Sequence, residues 1–232
     1  IRQFKAALKL QENLLSPYHR QNIRALMHLG KAYVQAHKSD KAIQILGRVI
    51  EQCRVRPGAS SALLAACYSQ MGKAYECRNS YDQALASYMQ AVNIDFKTYG
   101  ENHLCLAQAH HHLAQVFFKQ GKLTQARDYS EKSLKILKSH QDWLRHPQRH
   151  TTQLALIRYH LACAAVEQPY DLNPALQLAL DLKAWNEEYL TEDISKITPF
   201  DLIEYVEGCD LLHQLYSLTN PGESVNFLIN LI

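Results

Sequence analysis

Apolar and polar positions along this chain follow a pattern that returns as a block. Between residues 23 and 37, Ala25, Leu26, Leu29, Gly30 and Tyr33 fall at the i, i+3, i+4 spacing of an amphipathic helix. Lys38-Ser39-Asp40 breaks the stripe, and its Ser and Asp are suited to start a second helix whose buried face is Ala42, Ile45, Leu46, Val49 and Ile50. The spacing thus predicts a helical hairpin. Leu29-Gly30-x-x-Tyr33 with Ala42 recurs 42 residues on as Met71-Gly72-x-x-Tyr75 with Ala84, and 42 further as Leu113-Ala114-x-x-Phe117 with Ala126.

The small residues have a mechanical reason. Gly30, Gly72 and Ala114 are expected where the first helix approaches the second most closely, with Ala42, Ala84 and Ala126 opposite and Tyr33, Tyr75 and Phe117 filling the space beside them. A lone hairpin leaves its other apolar face wet, so fixed-period hairpins must stack. The joints share the interval: Ser16-Pro17-Tyr18-His19, Pro57-Gly58-Ala59-Ser60 and Tyr99-Gly100-Glu101-Asn102-His103 all carry turn chemistry.

This register makes residues 1–15 the second helix of a truncated repeat and gives three full repeats at 16–56, 57–98 and 99–140. The period then slips, because Ala162 of Tyr159-His160-Leu161-Ala162 lies 48 residues after Ala114, the excess falling around Trp143. A divergent fourth repeat is expected over 141–190, its second helix running from about Asn173 to Trp185 with Pro174 at the start and Ala175 as the small contact. A closing helical hairpin is expected over 191–232, from Phe200, Ile203, Val206, Leu211, Leu212 and Leu215 and then Val225 to Ile232. Both ends look cut from something longer, since terminal repeats normally carry polar outer faces.

The pattern Leu-Gly-x-x-Tyr with following Ala, Tyr and Ala is fullest in Met71-Gly72, Tyr75, Ala84, Tyr88 and Ala91, and it resembles the tetratricopeptide repeat. The 42-residue period, with Tyr99-Gly100-Glu101-Asn102-His103 ahead of Leu113-Ala114, is similar to the longer kinesin light chain type. The resemblance covers residues 1 to 140 and implies an all-α fold, a right-handed α-solenoid of such hairpins. It also implies a non-catalytic scaffold or adaptor whose first helices line a concave groove that binds a partner peptide or helix.

In that register the groove columns read Arg24, His28, Lys31, Gln35; Ala66, Gln70, Lys73, Cys77; Gln108, His112, Gln115, Lys119; and Leu156, His160, Cys163, Glu167. The residues expected to carry binding are Arg24, His28, Lys31, Gln70, Lys73, His111, His112, Gln115, Lys119 and His160. Repeated donors with few acidic neighbours favour an acidic or carbonyl-rich peptide, at roughly 1 kcal/mol per neutral hydrogen bond. Many peptide-binding relatives use Asn on this face. Here His, Gln and Lys stand instead.

Composition narrows the chemistry. A net charge of +3, from 25 basic and 22 acidic residues, supplies no global field toward nucleic acid or an anionic membrane. Cys53, Cys67, Cys77, Cys105, Cys163 and Cys209 form no C-x-x-C pair, which fits a reducing, cytoplasmic setting. No apolar run reaches a membrane span.

His110-His111-His112 points three ways around a helix and lacks the i, i+4 placement of a chelate, so no metal and no cofactor is expected. The His160/Cys163 pair lacks an orienting partner, and the nucleotide-binding, zinc-protease and nucleophile-elbow motifs are absent, which argues against an enzyme. Arg145, His146, Arg149 and His150 read as a small basic patch on a solvated loop. Two rival roles remain. One is a regulatory or sensor segment of a larger enzyme or transcription regulator; the other is a structural spacer in a large complex, contacting partners through second-helix residues such as Lys41, Lys97 and Lys132.

Overall fold

The computed structural model describes residues 1–3, 6, 19–55, 60–140, 148–166 and 171–192, and in the tail 207, 208, 210, 211, 213–215 and 218. The greater part of the predicted helix over 1–15, the loop around Trp143 and the segment Val225 to Ile232 lie outside them, as does Cys209. Eight helices cover most of the described chain: α1 (Arg20–Gln35), α2 (Ser39–Val55), α3 (Ser61–Cys77), α4 (Tyr81–Tyr99), α5 (Leu104–Lys119), α6 (Leu123–Lys138), α7 (Gln148–Val166) and α8 (Asn173–Glu192). No strand occurs among the described residues.

The chain divides into two compact units, residues 1–120 and 121–232. In the first, α1 packs on α2, α2 on α3, α3 on α4 and α4 on α5, and α1 also reaches α3. Ile23, Leu26, Val49, Ile50, Cys53 and Cys67 join one apolar cluster there, and Leu29, Tyr33, Ala42 and Leu46 another. In the second unit α6 packs on α7 and α7 on α8, around Leu154, Ile157, Ala175, Leu182, Leu211 and Leu215.

The predicted small contact exists, displaced by one helical turn. A Cβ on Gly30 would stand 2.7 Å from Leu46 Cδ2, and one on Gly72 would stand 2.7 Å from Tyr88 Cε1. Leu46 and Tyr88 lie four residues beyond Ala42 and Ala84. Helical side chains lean toward the N-terminus, so the residue that covers a given spot comes from a position C-terminal to it. Ala42 and Ala84 are fully buried, but the Gly meets a large side chain.

Each first helix of the three regular repeats is followed by a residue with positive φ, again 42 residues apart: His37 at 54°, Asn79 at 58° and Gly121 at 75°. Lys38 N donates to Tyr33 O at 2.9 Å and His37 N to Val34 O at 3.0 Å, and Ser80 N and Asn79 N repeat this on Tyr75 O and Glu76 O. These paired bonds close the helix end around a left-handed residue that favours Gly. His37→Gly should therefore stabilise the protein by about 0.5 kcal/mol, the relief of left-handed strain exceeding the entropy that Gly adds to the unfolded chain. Ala32→Gly, inside the helix, should instead cost about 1 kcal/mol in the same chemical denaturation series.

Helix starts are capped in different ways. Ser60 and Ser80 precede α3 and α4 without a side-chain cap bond. His19 and His103 do cap, their Nδ1 atoms accepting from Gln21 N and Cys105 N at 3.3 Å. Arg149 is also corrected: it lies on α7, 2% exposed, and not in a solvated loop. Burial takes Thr152 and Gln153 as well, because α7 is covered on nearly every side from 152 to 157.

Candidate functional site

In the first unit, α1, α3 and α5 are the first helices of consecutive hairpins. Arg24, His28 and Lys31 are exposed on α1, Gln70 and Lys73 are half-buried on α3, and on α5 Gln115 is half-buried and Lys119 exposed. The two neighbouring histidines differ. His111 and His112 are buried, at 5% and 8% exposure, and His160 of the second unit is buried on α7. These three were expected to present donors outward. The structure makes them wall and core: α4 packs on α5, where Tyr88 stacks on His112, and α6 and α8 both pack on α7.

Burial, with Lys73 adding to it, pushes His111 down to about 4 and His112 down to about 3, so both are neutral at pH 7. The His112 ring stacks on Tyr88 with centroids 5.2 Å apart, and its Nδ1 lies 3.4 Å from Gln115 Oε1. With the amide oxygen accepting, Nδ1 carries the proton, and Nε2 is a buried acceptor with no hydrogen-bond partner among the described residues. Burial first, then Arg127, lowers His160 in the same way.

Glu76 is the residue the sequence reading passed over. Its Oε1 accepts from Lys119 Nζ at 2.7 Å and its Oε2 from the Tyr88 hydroxyl at 3.1 Å. It therefore occupies the middle of a face that the sequence presented as donor-rich, and it takes up part of the Lys119 charge. Burial and the adjoining Glu76 carboxylate push the Tyr88 hydroxyl above the usual phenol range. The signal was present, since Glu76 follows Lys73 at i+3 on the same helix surface.

Lys73 is held differently. Burial lowers its pKa, Lys31 lowers it further, and Glu76 opposes both. Its ammonium makes no hydrogen bond or ion pair among the described residues. Beside it, between α3 and α5, lies a cavity of about 140 Å³ lined by Ser69, Gln70 and Lys73 of α3, Asp95 and Tyr99 of α4, and Gln108 and His112 of α5. Asp95 was also missed, although Ala84, Tyr88, Ala91 and Asp95 follow one buried stripe and only the last is charged. Among the described residues no three His, Cys, Asp or Glu side chains are placed to hold a metal, and no helix is long and apolar enough to cross a membrane.

Repeating hairpins with this geometry define a class. Residues 37–95 and 65–139 match the tetratricopeptide repeat family model, and this part of the chain is built of tetratricopeptide repeats. Its repeats are of the kinesin light chain-like kind. It is 28% identical over 72 residues to the kinesin light chain-related 3 protein of Arabidopsis thaliana, a match that spans 31% of this chain and 11% of that protein. Among solved structures, it is similar to a kinesin light chain with nearly identical repeats from Podosopora anserina, with a TM-score of 0.66, 20% identity, and coverage of 91% of this chain and 93% of that one. A Rap protein in complex with competence and sporulation factor gives a TM-score of 0.54 at 18% identity, covering 94% of this chain and 57% of that one. Those structures establish the all-α fold of stacked helical hairpins.

Proposed function

We propose that this protein is a non-catalytic interaction scaffold of the cytoplasm, and that the face shared by α1, α3 and α5 holds an extended segment of a partner protein. The observation that carries the reading is Lys73: a half-buried ammonium that makes no hydrogen bond among the described residues and is only partly offset by Glu76, beside Lys31, on a face that also presents Gln70 and Gln115. A cation kept from full hydration gains most from an acceptor brought by a ligand. Peptide carbonyls and acidic side chains supply such acceptors, while Glu76 sets a limit on how acidic the segment is where it passes Lys119.

Two further points support it. Tetratricopeptide repeats build surfaces that recognise other proteins, and the Rap relative was solved with a bound factor. No disulfide joins Cys53, Cys67, Cys77, Cys105 and Cys163 among the described residues, which suits a reducing compartment.

The test uses the partner recovered by crosslinked pull-down, titrated against Lys31→Glu combined with Lys73→Gln. Both positions are at least partly exposed, so the melting temperature should hold while affinity falls about tenfold, the equivalent of one charge-assisted hydrogen bond. Unchanged affinity would move the site off this face.

A further inference from the structure

Asp95 stands where the stripe of α4 calls for an apolar residue, and it is 6% exposed. Its carboxylate lines the cavity between α3 and α5 and makes no hydrogen bond or ion pair among the described residues. Its oxygens are open to the cavity and not sealed from water, and a carboxylate so placed, with no donor from the protein, gains from a donor that enters the space. Burial raises its pKa, with His103 opposing. Lys73, in the same cavity, does not neutralise it. The charges that act on Lys73 are Lys31, Glu76 and Cys77, whereas Asp95 acts with His103 and Cys105 near the start of α5.

The cavity is thus a slot with an anionic end and a cationic end, and Ser69, Gln70 and Gln108 lie along it. Ala62 and Ala66 leave one wall without bulk, and Tyr99, 41% exposed, stands among its lining residues. Burial and Asp95 push the Cys105 thiol up, so it adds no second negative charge. An anion would meet Asp95, and one carboxylate is too few for a metal. At about 140 Å³ the space suits a single long side chain and not a helix.

We propose that this slot is a specificity pocket for one basic side chain, arginine or lysine, whose cationic end pairs with Asp95 while its stem lies along Ala62 and Ala66. The assignment rests on the reading of α1, α3 and α5 as a peptide-binding face and adds to it: the recognised segment carries a basic residue at the Asp95 end and an acceptor at the Lys73 end.

The probe is N-acetyl-arginine amide, titrated into the isotope-labelled full chain and followed by backbone amide NMR, with N-acetyl-glutamine amide and N-acetyl-glutamate amide as comparisons. The expected result is saturable binding in the millimolar range, shifts confined to the surroundings of Ser69, Gln70, Tyr99, Cys105 and Gln108, and at least tenfold weaker binding by Asp95→Asn. Ala66→Leu, at an exposed lining position, fills the slot and should abolish binding even if the Asp95 variant fails to fold. Equal binding of the glutamine or glutamate probe, or arginine binding untouched by both variants, overturns the proposal. The Lys31/Lys73 titration is a separate readout, so loss of the slot with that result intact removes the side-chain assignment alone.

Discussion

Gly72→Ala should destabilise the first unit by about 1–2 kcal/mol, although the same change in an open helix would stabilise it by about 1 kcal/mol. The added Cβ would lie 2.7–2.8 Å from Cε1, Cδ1 and Cζ of Tyr88. That ring has nowhere to go: it is fully buried, its hydroxyl is bonded to Glu76, and His112 stacks on it. Gly30→Ala meets Cδ2 and Cγ of Leu46 instead, and a leucine side chain shifts more readily than a ring held by a hydrogen bond and a stack, so its cost should be smaller. Chemical denaturation of Gly72→Ala with and without Tyr88→Ala isolates the clash, because in the truncated background the alanine should become stabilising. If Gly72→Ala is neutral or stabilising in the intact protein, the close approach does not constrain the hairpin.

Acid should unfold this unit early. His111 and His112 have folded-state values of about 4 and about 3, depressed from 6.5, so between those limits the unfolded chain binds more protons than the folded one. Stability then falls as pH falls. The loss begins as the medium passes below about 6.5 and approaches 1.4 kcal/mol per pH unit for each histidine, on the order of several kcal/mol by pH 4.

The groups facing the pair are Lys73 and Glu76 of α3, Tyr88 of α4, and Gln115 on the same helix; Lys73 opposes protonation, while Glu76 favours it at His111 and Gln115 favours it at His112. Asp95, raised by burial, works in the opposite sense and softens the slope. His112→Gln removes one titrating group and should flatten the curve between pH 6.5 and 4. An unaltered slope would mean that the ring is hydrated and titrates normally.

The fold was largely legible because its signals are local. A stripe at helical spacing that returns every 42 residues predicts stacked helical hairpins, and the structure is built of consecutive helices ending at Gln35, Val55, Cys77, Tyr99, Lys119 and Lys138. What escaped depends on the third dimension. The Gly contact was placed opposite Ala42 and Ala84 by position along the chain, but side-chain tilt brings Leu46 and Tyr88 there. The depth of a helix face is set by its neighbours, so Lys31 and His112 looked alike in sequence although one is exposed and the other buried. Glu76 was hidden by counting only four positions per helix, and Asp95 by assuming that second helices supply core alone. The division at residue 120 falls between the two helices of the expected third repeat and has no counterpart in the periodicity.

Site-specific photocrosslinking tests the central claim most directly. A photoreactive side chain placed singly at Arg24, Lys31 or Gln108, exposed on α1 and α5, is compared with the same group at Lys41 or Lys97, exposed on α2 and α4. If the first helices hold the partner, its adducts form from 24, 31 and 108 and are absent from 41 and 97. Adducts from 41 and 97 alone would contradict the account and place recognition on the second helices.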